Sequence, residues 1–232
     1  MSAILFAGPS LWGSTLPLPP GIALRPPAAC GDVLRAARDR PAAIGLIDGL
    51  FESGPSVWHK EILAAIALGV PVLGAASLGA LRAAELDGLG MIGIGAIHAA
   101  YRDGRLTRDD SVMVSHAPAA LGHRPLTVAL VDAEAAIAGC GASGEDRAML
   151  SGIARRMNFR DRTWPAMREA FARRTGRVAP ACDEADSLKR RDAELLVMAL
   201  GGTCAAPPCP APPETVFLRA LRARTTGCGS AG

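Results

Sequence analysis

Aromatic side chains are scarce: Phe, Tyr and Trp make up 4% of the 232 residues. Ala, Leu, Ile and Val must therefore fill the core, with 26 glycines at close contacts. No run of about 18 apolar residues occurs, so no membrane-spanning helix is expected. The opening MSAILFAGPSL lacks a basic stretch and has only a short apolar run; it reads as a first strand rather than a signal peptide, and a cytoplasmic chain is expected. Also missing are a Gly-x-x-x-x-Gly-Lys-Ser/Thr phosphate loop, a Gly-x-Gly-x-x-Gly fingerprint after the first strand and His-x-x-x-His zinc spacing. Gly90, Gly93 and Gly95 in GMIGIGAIH do not fall into that fingerprint. The six cysteines (Cys30, Cys140, Cys182, Cys204, Cys209 and Cys228) form no Cys-x-x-Cys pair and are expected to be free thiols. Neither a cofactor nor a metal is expected, nor a nucleic-acid or membrane partner.

Half of the residues are hydrophobic and a fifth are charged, a globular composition. The net charge of +3 hides an asymmetry. Residues 1–146 carry 10 Lys/Arg against 14 Asp/Glu, and residues 147–192 carry 12 against 6. That basic, helical-looking segment suits either an acidic partner or a solvated arginine face.

AILFAGPS reads as a buried strand, and LPLPPGIALRPPAACGD as a proline-rich link to a helix over 32–38. AAIGLIDG is a second strand and VPVLGAAS a third. Helices follow both, one from FESGPSVWHKEILAAIALG and one from LGALRAAELDGL. Strand and helix alternating over short connections predicts an α/β fold, a Rossmann-like parallel sheet flanked by helices. IGAIHAAYRDG reads as a helix and DSVMVSHAP as another strand. From Pro125 the period is helical, with helices near 126–138, 145–157, 163–174 and 183–200, so the C-terminal part is mainly helical. The division expected is 1–124 for the α/β core, 125–201 for the helical part and 202–232 for a poorly ordered Pro/Gly/Cys tail holding a short amphipathic helix, TVFLRALRAR.

Ligands of open parallel sheets bind beyond the carboxyl ends of the strands. Two loops leave such ends, 48–56 and 74–85. The first offers Asp48, Glu52, Ser56, His59 and Lys60; the second offers Ser77, Arg82 and Glu85. His59 and Lys60 open a helix, where the dipole disfavours cations by a few tenths to about 1 kcal/mol. Ser56 is expected to cap that helix. The two cations either snorkel to solvent or meet something anionic, and Lys60 suits a general base because its charged form is disfavoured there. Ser77 is either the N-cap of the next helix or a nucleophile on an elbow: AASLG resembles Gly-x-Ser-x-Gly but has Ala75 at the first glycine. The amides of Leu78 and Gly79 at that helix start could bind an anion. Arg82 and Glu85 share a helix face and form either an internal tie or a means of orienting a site. Asp109 and Asp110 read as a solvated turn.

The stretch IGLIDGLFESGPSVWHKEILAAIALGVPVLGAASLGALRAAEL, with GDVLRAA before it and YRDGRLTRDDSVMVSHAP after it, resembles the TfuA-like core domain over residues 32–118. NFRDRTW and KRRDAELL resemble the family's C-terminal half more loosely. Leu78 stands where the family has Met, and Leu50 where Tyr is usual. The resemblance implies a partner of YcaO-type enzymes, which use ATP to replace a peptide amide oxygen with sulfur. It implies release of sulfide from the thiocarboxylated C-terminus of a ThiS-like sulfur carrier, and engagement of a precursor peptide. Lys60, Ser77, Asp48, Glu52 and His59 are then the catalytic candidates. Arg82, Glu85, Leu78 and Gly79 are the substrate-binding ones. A non-catalytic docking module, working through the basic helical half, is the alternative.

Overall fold

The computed structural model describes residues 2–52, 54–202 and 209–226; Cys204 and Cys228 lie outside them. At its centre is a sheet of five parallel strands, in the order β2-β1-β3-β4-β5. They are β1 (Ala3–Phe6), β2 (Ile22–Arg25), β3 (Ile44–Leu46), β4 (Val72–Ala75) and β5 (Ile92–Ile94). The expected Rossmann-like architecture is present, with the strand order of flavodoxin-like doubly wound sheets.

The strands alternate sides, as their period of two requires. Ile4, Phe6, Ile44, Leu46 and Val72 pack with Val33 of α1 (Asp32–Arg38) and Ile62 of α2 (His59–Ala67). Leu5, Leu73 and Ala75 face the other way, onto Ala193, Leu196, Val197 and Leu200 of α8 (Leu188–Leu200). Gly45 makes room for α8: a Cβ there would lie 2.6 Å from Leu200 and 2.7 Å from Leu196. One sheet face is thus covered by helices close in sequence and the other by a helix from far down the chain.

Helices α3 (Leu78–Glu85) and α4 (Gly95–Arg102) follow β4 and β5. The helical half, α5 (Leu130–Gly139), α6 (Gly144–Arg156) and α7 (Trp164–Thr175), has its own core of Leu130, Ile137, Leu150, Met167 and Phe171. Carboxylates tie it to the sheet layer. Asp132 of α5 accepts from the Ser187 hydroxyl at 3.1 Å and the Lys189 amide at 2.9 Å, capping α8. Asp192 of α8 accepts from the amides of Ala96 and Ile97, capping α4. Among the described residues no helix is long and apolar enough to cross a membrane.

Several elements differ from expectation. The proline-rich link contains β2, an edge strand whose Leu24 is exposed. β5, three residues of Ile-Gly-Ile, had no strand signal of its own. DSVMVSHAP is not a strand: a single 3-10 turn over Asp109–Ser111 is followed by extended chain that pairs with 124–127 at one isolated bridge, His116 with Pro125. Pro125 has no N–H, so that ladder cannot lengthen. The short helix expected in the tail is present: VFLRALRAR of that stretch lies in α9 (Val216–Thr226), docked through buried Leu221 against Leu34 of α1 and Ala64 of α2.

Candidate functional site

Strands β1 and β3 are neighbours, but the chain leaves β1 toward β2 on one side and β3 toward β4 on the other. Ligands of such sheets sit at this reversal point. Here the loops after β1, β3 and β4 enclose a cavity of about 360 Å³, whose wall includes Pro9, Asp48, Glu52, Ser77, His116 and Arg160. Asp48 and Ser77, expected at neighbouring strand ends, do line one cavity.

Asp48 is 2% exposed and fully engaged. Its carboxylate accepts from the amides of Gly8 at 2.8 Å and Ser10 at 3.0 Å, and from the Ser10 hydroxyl at 2.7 Å. It therefore fastens the loop after β1 to the end of β3.

Ser77 stands at the N-cap of α3 but does not cap it: its hydroxyl bonds to nothing among the described residues although the residue is 4% exposed. Ala76, just before it, has φ +63 in the left-handed region. A non-glycine residue held there costs about 1–3 kcal/mol and is common at functional turns. Of the two helix-start amides expected to bind an anion, Gly79 is already used, donating to the Ile47 carbonyl at 3.1 Å. The amide of Gly49, in the cavity wall, and that of buried Leu78, which is not part of the wall, have no acceptor among the described residues.

The second group of expected site residues gathers elsewhere. Glu85 accepts from His59 Nε2 at 2.8 Å and from Arg82 at 2.5 Å. Arg82 also donates to the Val57 carbonyl at 2.9 Å, stitching the loop after β3 to α3. The anion that meets His59 is therefore a side chain of the same chain. Burial pushes the Glu85 carboxyl up, but the bonds from His59 and Arg82 outweigh it and hold the group below its ordinary range. Lys60 is half-buried, makes no ion pair among the described residues and is not in the cavity wall. Glu52 pairs at the cavity rim with Arg160.

Ser56 does not cap α2, which begins only at His59. Glu61 does that work. Fully buried, it accepts from the Trp58 amide at 2.8 Å and, across the gap, from Gly31 at 2.9 Å and Leu34 at 3.3 Å. One carboxylate thus serves the N-termini of both α1 and α2, which offsets the unfavourable cations of the first turn. Burial raises its proton affinity above the ordinary range. Its position at N3 was the available signal.

Three further residues escaped the sequence reading. His116 lines the first cavity, its Nδ1 2.8 Å from the Ala117 carbonyl. Arg160 brings a guanidinium to the same cavity. Lys189, 3% exposed, donates to the carbonyl of Val112 in the cavity wall at 2.7 Å. Burial drives its amine below the ordinary lysine range, against the pull of Asp48 and Asp132. A signal for Lys189 existed: it is one of two lysines in the chain, and it sits four residues before Ala193 on the apolar stripe of α8. A second cavity, of about 640 Å³, shares Pro9 and Val114 with the first and has Lys189 in its wall.

No curated protein sequence matches the chain. A profile described as TfuA-like protein matches residues 48–163, half of the 232. The matched span holds Asp48, Glu52, Ser77, His116 and Arg160, the charged and nucleophilic groups of the first cavity. The chain belongs to the TfuA-like protein family.

Proposed function

We propose that this chain is an accessory protein of peptide backbone thioamidation, a hydrolase that frees sulfide from a thiocarboxylated ThiS-like carrier for a YcaO-type enzyme acting on a precursor peptide. The reaction is RCOS⁻ + H₂O → RCOO⁻ + H₂S. The observation that carries the reading is the unpartnered Ser77 hydroxyl on a strained turn, opening into a cavity that also holds Arg160. A carrier C-terminus is a narrow, anionic, flexible strand. A cavity of about 360 Å³ at the sheet's carboxyl edge suits its last residues, and the Arg160 guanidinium suits their charge once it exchanges Glu52 for the thiocarboxylate. Family membership supports the thioamidation setting. Lys60, half-buried and without an ion pair among the described residues, lies at the start of α2, beyond the loop that forms part of the cavity wall, and is assigned to carrier binding.

The arginines of the basic helical half are largely engaged with acids of the same chain: Arg155 with Glu134, Arg168 with Glu184, Arg173 with Glu169, Arg177 with Asp146 and Arg191 with Asp186. That weighs against a purely electrostatic docking module. Mass spectrometry of a thiocarboxylated carrier incubated with the purified chain tests the reading. Conversion of the thiocarboxylate to the carboxylate is expected, slowed by Lys60→Ala without a change in melting temperature. Carrier binding without conversion would leave the docking role in its place.

A further inference from the structure

The stretch DSVMVSHAP, whose alternation suggested a strand, is paired on one side only. Toward 124–127, the Leu126 amide donates to the Ser115 carbonyl and the Ala117 amide to the Arg124 carbonyl, both at 2.8 Å. The Ser115 amide donates to Thr127 Oγ1, also at 2.8 Å. Along an extended chain the backbone groups of successive residues point to opposite sides. Those of Val114 and His116 therefore point away from 124–127, and their N–H and C=O groups have no partner among the described residues. Both residues are half-buried and line the first cavity. This open edge is bounded at each end. The Val112 carbonyl is already taken by the Lys189 amine at 2.7 Å, and Pro118 has no N–H to give. Two residues, about 7 Å of chain, are left open.

We propose that Val114 and His116 form a docking edge, on which the C-terminal end of the carrier adds as a short extra strand through its backbone. This deepens, and for its occupant rests on, the sulfide-release reading. The space in front of the edge limits what can pair with it. Unpaired strand edges attract other strands, and proteins shield them. Here the shield is the cavity itself: at about 360 Å³ it admits the end of one extended chain but not the edge of another sheet. A second copy of this chain is thereby kept off. The Arg160 guanidinium in the same wall favours a terminus that ends in an anion. Main-chain pairing reads no side chain, so it sets the depth and direction of entry while the cavity wall selects the end group.

Residue-resolved amide exchange of the full chain, with and without saturating carrier in its carboxylate form, tests the edge without turnover. Slowing of about tenfold or more is expected at Val114 and His116. No change is expected at Ser115 and Ala117, whose amides are already bonded. Contact through side chains alone would not produce that alternation. Slowing that is uniform over 114–117, or absent at Val114 and His116, overturns the proposal. So does slowing that rises with protein concentration in the absence of carrier, which would make a second copy the occupant. Val114→Pro removes an N–H that the fold does not use, and Val114→Ala keeps it. With folding checked by circular dichroism, Val114→Pro is expected to bind carrier roughly 2- to 10-fold more weakly than Val114→Ala, the worth of one hydrogen bond. Equal binding by the two folded variants overturns the edge; if Val114→Pro does not fold, the exchange pattern decides. Carrier hydrolysis on the same preparations separates the two readings. Alternating protection without hydrolysis keeps the edge and removes the hydrolase, and hydrolysis without alternating protection removes the edge and keeps the hydrolase.

Discussion

Glu85 accepts from two cationic side chains that reach it from different elements, His59 from α2 and Arg82 from within α3. Its folded-state proton affinity lies below the ordinary value of 4.5. A carboxyl lowered by folding adds stability above its unfolded value and loses it as the pH falls through the folded one. The gap in melting temperature between the parent and Glu85→Gln is therefore expected to be present at pH 6 and to close below about pH 4.5. Because Glu85 is 37% exposed, the full gap should be modest, about 0.2–1 kcal/mol. A gap that is the same at both pH values would remove the pair from the account of stability. Arg82→Ala should cost more, since it also forfeits the bond to Val57. The question posed by two cations at a helix start was legible in the sequence; its answer was not. Glu85 is 26 residues from His59, and only the folded α3 brings it there.

The strand-to-helix element from β4 to α3 depends on absent side chains. A Cβ on Gly79 would lie 1.7 Å from the Leu46 carbonyl oxygen. Gly79 is not at positive φ, so the requirement is for space, not torsion. Gly79→Ala gains up to about 1 kcal/mol of helix propensity. Contact with a backbone oxygen outweighs that gain, and a net loss of roughly 1–3 kcal/mol is expected. Thermal unfolding reads the loss, and carrier hydrolysis should fall with it, since α3, which Ser77 precedes, must move to admit the methyl. Unchanged melting would mean that α3 is less closely seated on β3 than described. The elements that were legible are those with strong periodicity or clear ends: β1, β3, β4 and the helices α1 to α9. Those that were hidden had weak local signals. β2 is four residues in a proline-rich run, half of it exposed at the sheet edge, and β5 owes its state to pairing with β4. In DSVMVSHAP the alternation was real, but Pro125 and the Lys189 amine on Val112 supply partners that no ladder could.

For the molecule as a whole, the sheet has one face covered by neighbours in sequence and one covered by α8, whose last residue is Leu200. A chain ending before α8 would leave Leu5, Ile47, Leu73 and Ala75 without their cover. It would also leave α4 without the Asp192 cap. Such a truncated chain is expected to bind an apolar dye and to aggregate, whereas a soluble, sharply melting product would show that the α/β half folds alone. The arrangement also has a meaning in time. A parallel sheet whose second cover is encoded about a hundred residues after its last strand cannot close as it leaves the ribosome. At ordinary elongation rates the uncovered face waits roughly 5–20 s for α8 to emerge. During that interval the nascent chain is a natural client for a chaperone, and slow codons between β5 and α8 would prolong the risk.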